Sequence, residues 1–273
     1  MSTPTPSDGP TAEQLDDALA VALQAADTAI ELARTTPTGV VETKRHAADH
    51  VTETDRSTER AVRQLVAERL PGHVVVGEEY GGTAGAGPTW YCDPVDGTTN
   101  LTAGLPWTSF SLAMAIGSTP WVGVVADPWR GEVLHAVRGR GTFLGGQRVP
   151  RLDGGELTGG VVMTEWAGYR PWPGMLGLLA SLSDRLCTTR VMGSSTLTLA
   201  HIAVGRCVGA VVGTFQPEDH LAAALLGDEA GAVVLDESGA RDLFPGAGGM
   251  LVARPAVADE LFSLWRSATD SAR

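Results

Sequence analysis

Trp90-Tyr91-Cys92-Asp93-Pro94-Val95-Asp96-Gly97-Thr98-Thr99-Asn100 carries an apolar run into two aspartates and then into residues that open a turn or a helix. The apolar run reads as a buried strand that ends where Pro94 and Gly97 interrupt its alternation. Pro94 fixes the backbone and Gly97 permits close approach, so Asp93 and Asp96 can be fanned around one point instead of alternating across a sheet. Two carboxylates held that way make an oxygen-rich nest suited to a hard cation such as Mg²⁺. A helix starting around Gly97 to Thr99 would leave its first amides free to receive a phosphate. An Asx-type turn capping that helix would need one aspartate and leaves the second unexplained.

Upstream, His73 to Gly77 predicts a short buried strand running into Glu78-Glu79, which taken alone is a solvated turn. Before it, Val62, Leu65, Val66 and Leu70 form the inner stripe of a helix with Thr54 or Asp55 as N-cap and Pro71-Gly72 as its end. Residues 36–53 are polar and predict a long loop or ribbon carrying Lys44. Leu15, Leu19, Leu23, Ala26, Ile30 and Ala33 recur at helical spacing through about residue 35. Residues 1–11 are Ser/Thr/Pro-rich, without the basic and apolar regions of a signal peptide, and are expected to be a disordered tail. Gly81 to Pro88 lacks the lysine and the strand-to-helix context of a phosphate-cradling loop and reads as a flexible surface loop.

Downstream, strands are predicted over 108–116, 121–126 and 131–137. The uncharged run 109–126 approaches the length of a membrane span, but Gly117-Ser118-Thr119-Pro120 makes it two strands and a turn. A strand at 160–164, a helix near 174–183, a strand at 187–192, a helix at 194–205 and a strand at 207–213 follow. A helix at 218–230, strands near 232–236 and 250–253, and a helix from about 256 complete the chain. This order predicts a layered α/β (α+β) protein, with a β-rich lobe over 12–150 and an α/β lobe over 151–273 forming one continuous catalytic unit. Asp219 precedes the apolar helical run Leu221 to Leu226, where a helix cap alone would account for it.

The chain has 273 residues, 43% hydrophobic and 19% charged, which excludes disorder and coiled coil. A net charge of −12 argues against nucleic-acid and anionic-membrane partners. An anionic substrate stays possible because bound cations invert the local sign. Cys92, Cys187 and Cys207 form no CxxC pair and read as small buried hydrophobes of a reducing cytoplasm. There is no HExxH and no GxSxG among these residues, and His201, inside an apolar helical stretch, reads as packed.

Four blocks in order resemble the inositol monophosphatase family of Mg²⁺-dependent, lithium-sensitive phosphatases. They are Lys44 with Val51-Thr52-Glu53-Thr54-Asp55, Gly77-Glu78-Glu79, the DPxDGTxN block at 93–100, and Asp219 followed by Ala222-Ala223 and Glu229-Ala230-Gly231. The resemblance covers roughly residues 12–265 and implies that family's α/β/α/β/α sandwich. It implies a first Mg²⁺ held by Glu78, Asp93 and the Val95 carbonyl, and a second held by Asp93, Asp96 and Asp219. A looser third ion would sit near Glu78. Asp55 and Thr98 would orient and activate the attacking water, with Glu78 also in the catalytic set. The Gly97 and Thr98 amides would grip the phosphate, Lys44 would ride a mobile β-loop over the metals, and Gly193, Ser194 and Ser195 would form a substrate wall. A homodimer is implied as well.

Departures from the family pattern bear on the substrate. Glu218 stands where the family often has Trp, and a helix-capping role is expected of it. Val212 stands seven residues before Asp219, where inositol-phosphate enzymes carry an acid that binds substrate hydroxyls. Leu101 replaces a Phe. Glu165 ends a strand and is expected to be solvated. The expected activity is hydrolysis of a small polyol, inositol or sugar phosphate by a directly attacking water. Histidinol phosphate and fructose 1,6-bisphosphate remain open as substrates. Hydrolysis of 3′-phosphoadenosine 5′-phosphate is disfavoured by Thr99-Asn100 in place of Lys-Glu. A non-catalytic binding relative is the alternative from another class.

Overall fold

The structure, a computed structural model, describes residues 9–36, 41–44 and 46–272. The chain opens with α1 (Ala12–Thr35), a ribbon of β1 (Glu42–Thr43) and β2 (His50–Val51), and α2 (Glu53–Arg69). Next come β3 (Val74–Gly77), β4 (Thr89–Asp96), α3 (Thr98–Ala103), β5 (Ser109–Ile116), β6 (Thr119–Asp127), β7 (Glu132–Val137), β8 (Gly141–Leu144) and β9 (Gln147–Arg148). The rest is β10 (Val161–Thr164), α4 (Met175–Asp184), β11 (Thr188–Arg190), α5 (Ser195–Ala203), β12 (Gly209–Val212), α6 (Pro217–Ala230), β13 (Val233–Asp236), β14 (Met250–Ala253) and α7 (Pro255–Ala272).

Strands β3 to β9 form one seven-stranded sheet in sequence order, and a five-stranded sheet runs β11-β10-β12-β14-β13. Helices α1 and α2 cover one face of the larger sheet, α5 and α6 fill the space between the sheets, and α4 and α7 cover the outer face of the smaller one. That is the expected α/β/α/β/α order. β4 is apolar at successive positions because both its faces are covered: Trp90 and Cys92 pack towards α1 and α2, Tyr91 towards α5 and α6. The middle layer is thin. A Cβ on Gly123 of β6 would lie 3.0 Å from the Ala222 carbonyl oxygen of α6, so small residues on both sides set the helix-to-sheet distance.

Several details differ from expectation. The α2 cap is Thr52, not Thr54 or Asp55, because Asp55 completes a capping box by accepting the Thr52 N–H at 2.9 Å and its hydroxyl at 2.5 Å. On α1 the buried stripe is chiefly Ala18, Ala22, Ala25, Ala26 and Ala29 with Leu15 and Val21, while Leu19, Leu23 and Ile30 flank it. Alanine lets the helix axis approach the sheet, and the longer side chains wedge at its sides. The short strands β8 and β9 went unpredicted, being too brief and glycine-rich for a period to register. The ribbon expected over 36–53 is present as β1 and β2, with 37–40 and 45 outside the described residues. Of the tail, residues 1–8 lie outside them, and Thr11 caps α1. All three cysteines are buried. Among the described residues no helix is long and apolar enough to cross a membrane.

Candidate active site

In a regular strand Asp93 and Asp96 would point to opposite faces, being three residues apart. They do not, because β4 ends in a bulge. Asp93 faces Ser111 of β5 and Asp96 faces Ser109, so one extra residue sits on the β4 side. Asp93 Oδ1 accepts the Val95 N–H at 2.9 Å, which fixes the turned backbone. Parallel pairing of β3 with β4 matches Gly77 to Cys92, and the Glu78 N–H donates to the Cys92 carbonyl at 3.1 Å. That register carries Glu78 to the level of Asp93. The fourth carboxylate, Asp219, comes from the first turn of α6, where the Thr196 hydroxyl donates to its carbonyl at 2.6 Å.

Glu78, Asp93, Val95, Asp96 and Asp219 line a single cleft of about 370 Å³, together with Gly97, Thr98 and Gly193. Burial, with the neighbouring Glu78, Asp219 and Asp96 carboxylates, pushes Asp93 well above the usual carboxylate range. Burial, then Asp96 and Glu78, does the same to Asp219. Asp96 is pushed up to about 6 by burial, although the Ser194 hydroxyl (2.6 Å) and the Thr196 N–H (2.7 Å) both donate to its Oδ2. Converging carboxylates, of which Glu78 stays exposed at the rim, and one carbonyl form an all-oxygen donor set whose mutual repulsion a hard divalent cation would relieve. Lys44 Nζ meets the rim, donating to Glu78 at 2.9 Å and Glu79 at 2.5 Å.

Beside the carboxylates, the Thr98 hydroxyl reaches Asp55 Oδ1 at 2.9 Å and the Val95 carbonyl at 3.0 Å. Asp55 is raised by burial. Helix α3 begins at Thr98 after Gly97, whose φ is +91° and whose added Cβ would lie 2.7 Å from the Gly193 carbonyl. Glycine is therefore required there twice over, by conformation and by close approach.

Ser194 caps α5, accepting the Leu197 N–H at 3.3 Å, and is fully buried beneath Asp96. Ser195 lies in the wall of an adjoining cavity of about 510 Å³ that also contains Val212. Glu165, expected to be solvated, is 5% exposed. Its carboxylate accepts the N–H groups of Met192 (2.9 Å) and Gly193 (2.8 Å) and the Thr198 hydroxyl (2.7 Å). The end of a parallel strand in an open sheet is a place where such a group could have been sought. Glu218 does not cap α6: the N-cap is Gln216 and Pro217 begins the helix, leaving Glu218 in the first turn.

His201 is buried as expected, with Nε2 paired to Arg206 at 2.9 Å. It gathers with Asp127 and Glu132, a donor set that could suit a cation. Guanidinium groups already serve it, Arg130 on Asp127 at 2.8 Å and Arg206 on Glu132 at 2.6 Å. Sequence reasoning misjudged Glu165 as solvated and passed over Thr196, His46, Trp166 and Tyr169, the last three lying along both cavities.

A family model described as the inositol monophosphatase family matches residues 12–269. The chain is similar to inositol monophosphatase 1 of Solanum lycopersicum, 33% identical over 82% of this chain and 86% of that one. It is also similar to Nus factor SuhB of Pasteurella multocida, 32% identical over 79% of this chain and 82% of the relative. Among solved structures, an IMPase from Thermotoga maritima superposes with a TM-score of 0.85 at 27% identity, covering 94% of this chain and 100% of that chain.

Proposed function

Because the chain belongs to the inositol monophosphatase family and is a phosphatase of that superfamily, we propose that it is a Mg²⁺-dependent phosphomonoesterase acting on a small alcohol phosphate. The observation that carries the reading is the convergence of Glu78, Asp93, Asp96 and Asp219 on one cleft beside the Thr98–Asp55 pair. Glu78, Asp93, the Val95 carbonyl, Asp96 and Asp219 would hold two or three ions. Bound there, Mg²⁺ would lower the pKa of water and offset phosphoryl charge.

The chain's own groups do the rest. By donating to Asp55, the Thr98 hydroxyl leaves a lone pair facing the cleft to orient a water. The proton leaving that water passes to Thr98 Oγ1 as the Thr98 proton moves to Asp55 Oδ1, whose burial makes it a better acceptor. Amides of Gly97 and Thr98, at the start of α3, face no intrahelical acceptor and are available to phosphate oxygens. Lys44 adds a positive charge at the rim. No phosphoenzyme is needed, since the attacking atom is water.

Polyol, inositol and sugar phosphates are the first substrates to test. Val212 removes the hydroxyl acceptor that would favour inositol 1-phosphate, which keeps histidinol phosphate and fructose 1,6-bisphosphate in the panel. The test is phosphate release with and without Mg²⁺. Mg²⁺-dependent turnover of any of these supports the reading; silence with Mg²⁺ bound points to an alcohol phosphate outside the panel, and silence without Mg²⁺ binding sinks it. The similarity to SuhB proteins, named as Nus factors, favours a binding role as the second reading, which that silence would support.

A further inference from the structure

The cavity beyond the carboxylates has an unusual lip for a site that is to hold a polyol. A short turn, closed by the Ala167 N–H donating to the Arg170 carbonyl at 2.9 Å, presents Trp166 and Tyr169, which are 45% and 53% exposed. The turn is fastened at both ends. Glu165 is locked by its three hydrogen bonds, and Trp172, buried, donates from its indole N–H to the Thr164 hydroxyl at 3.2 Å. Both aromatic residues line the carboxylate cleft and the adjoining cavity. His46, from the facing ribbon, meets the Tyr169 ring edge-on at 4.2 Å between centroids.

On the same wall one position gives a cyclitol no hydrogen-bonding partner, although Ser195, Thr214, Gln216 and His220 also line the cavity. A cyclitol carries hydroxyls all round its ring, and each buried hydroxyl without a partner costs free energy. Val212, at the end of β12, is apolar. The Glu165 carboxylate is already engaged by Met192, Gly193 and Thr198. Exposed aromatic side chains beside a catalytic cleft are, by contrast, a surface for a flat ring, with Trp166 the principal one because the Arg170 guanidinium lies over the Tyr169 ring at 5.0 Å.

We propose that the alcohol half of the substrate is a planar unsaturated ring on a short linker, stacked against Trp166 and Tyr169, with its phosphate in the carboxylate cleft. The proposal rests on the phosphatase reading above and names the leaving group for it. Stacking of this kind commonly contributes enough to change affinity about tenfold.

The test compares 2-phenylethyl phosphate, its saturated counterpart 2-cyclohexylethyl phosphate and inositol 1-phosphate, each with Mg²⁺. The phenyl ester should exceed inositol 1-phosphate about tenfold in kcat/KM and the cyclohexyl ester severalfold. Trp166→Ala and Tyr169→Ala, both at exposed positions, should raise KM for the phenyl ester about tenfold while kcat changes less than twofold. Preference for inositol 1-phosphate, equal use of phenyl and cyclohexyl esters, or indifference to both substitutions overturns the proposal. Calorimetry with 2-phenylethylphosphonate, which cannot be hydrolysed, separates the two readings. Trp166-dependent binding without turnover of any ester keeps the ring site and removes the phosphatase activity. Absence of both binding and turnover overturns the ring site as well.

Discussion

Glu165 brings a carboxylate into the interior at the end of β10, where burial pushes its pKa up to about 7 although Met192, Thr198 and Gly193 all donate to it. The loop it holds is the one whose Gly193 carbonyl abuts Gly97 and whose Ser194 donates to Asp96. Glu165 is thus a positioning residue for the cleft. Glu165→Gln turns an amide NH₂ towards one of the two backbone donors and leaves it unsatisfied, which should cost about 1–3 kcal/mol in urea unfolding. The Mg²⁺ concentration for half-maximal activity should rise at the same time; an unchanged requirement would show that the loop needs no such support. The strand before Glu165 was predictable, but its three donors lie 27 or more residues further on. Nothing local distinguishes that carboxylate from a solvated one.

At the scale of elements, α5 depends on a buried histidine. His201 is held neutral, its pKa lowered to about 4 by burial and by Arg206, which donates to its ring and also to Glu132 of β7. The unfolded chain takes up this proton near pH 6.5, before the folded one does. The stability contributed by the neutral ring is therefore complete above about pH 6.5 and declines as pH falls towards 4, by up to about 3 kcal/mol. His201→Gln keeps an acceptor for Arg206 and should flatten that part of the stability–pH curve; parallel curves for the two proteins would refute the assignment. Most elements were legible because strands covered on both faces read as short continuous apolar runs and amphipathic helices repeat at 3.6 residues. The α2 cap and the alanine stripe of α1 were misread. The first is a local Thr52–Asp55 box three residues across, and the second depends on the sheet that the helix meets.

Across the whole molecule, the cleft draws Glu78, Asp93 and Asp96 from the end of one sheet and Asp219 from the helix layer between the sheets. Without a cation these like charges oppose the packing that brings them together. Asp93→Asn should raise the metal-free Tm by roughly 2–4 °C, equivalent to about 1 kcal/mol in a chain of this size. It should also abolish the Tm increase on Mg²⁺ addition and lower turnover at least about 10³-fold. A variant that keeps the Mg²⁺ response would remove Asp93 from the ion site. The sequence by itself determined the layered α/β order, the two aspartates of the DPxDGTxN block and the late Asp219, because strand burial, turn chemistry and motif spacing are local properties. Only the tertiary structure decided that a bulge in β4 turns Asp96 to the side of Asp93, that Glu165 is buried and that Trp166 and Tyr169 form the lip of the cavity. Each depends on groups distant in the chain, and free energies of burial and pairing exist only once folding has brought those groups together.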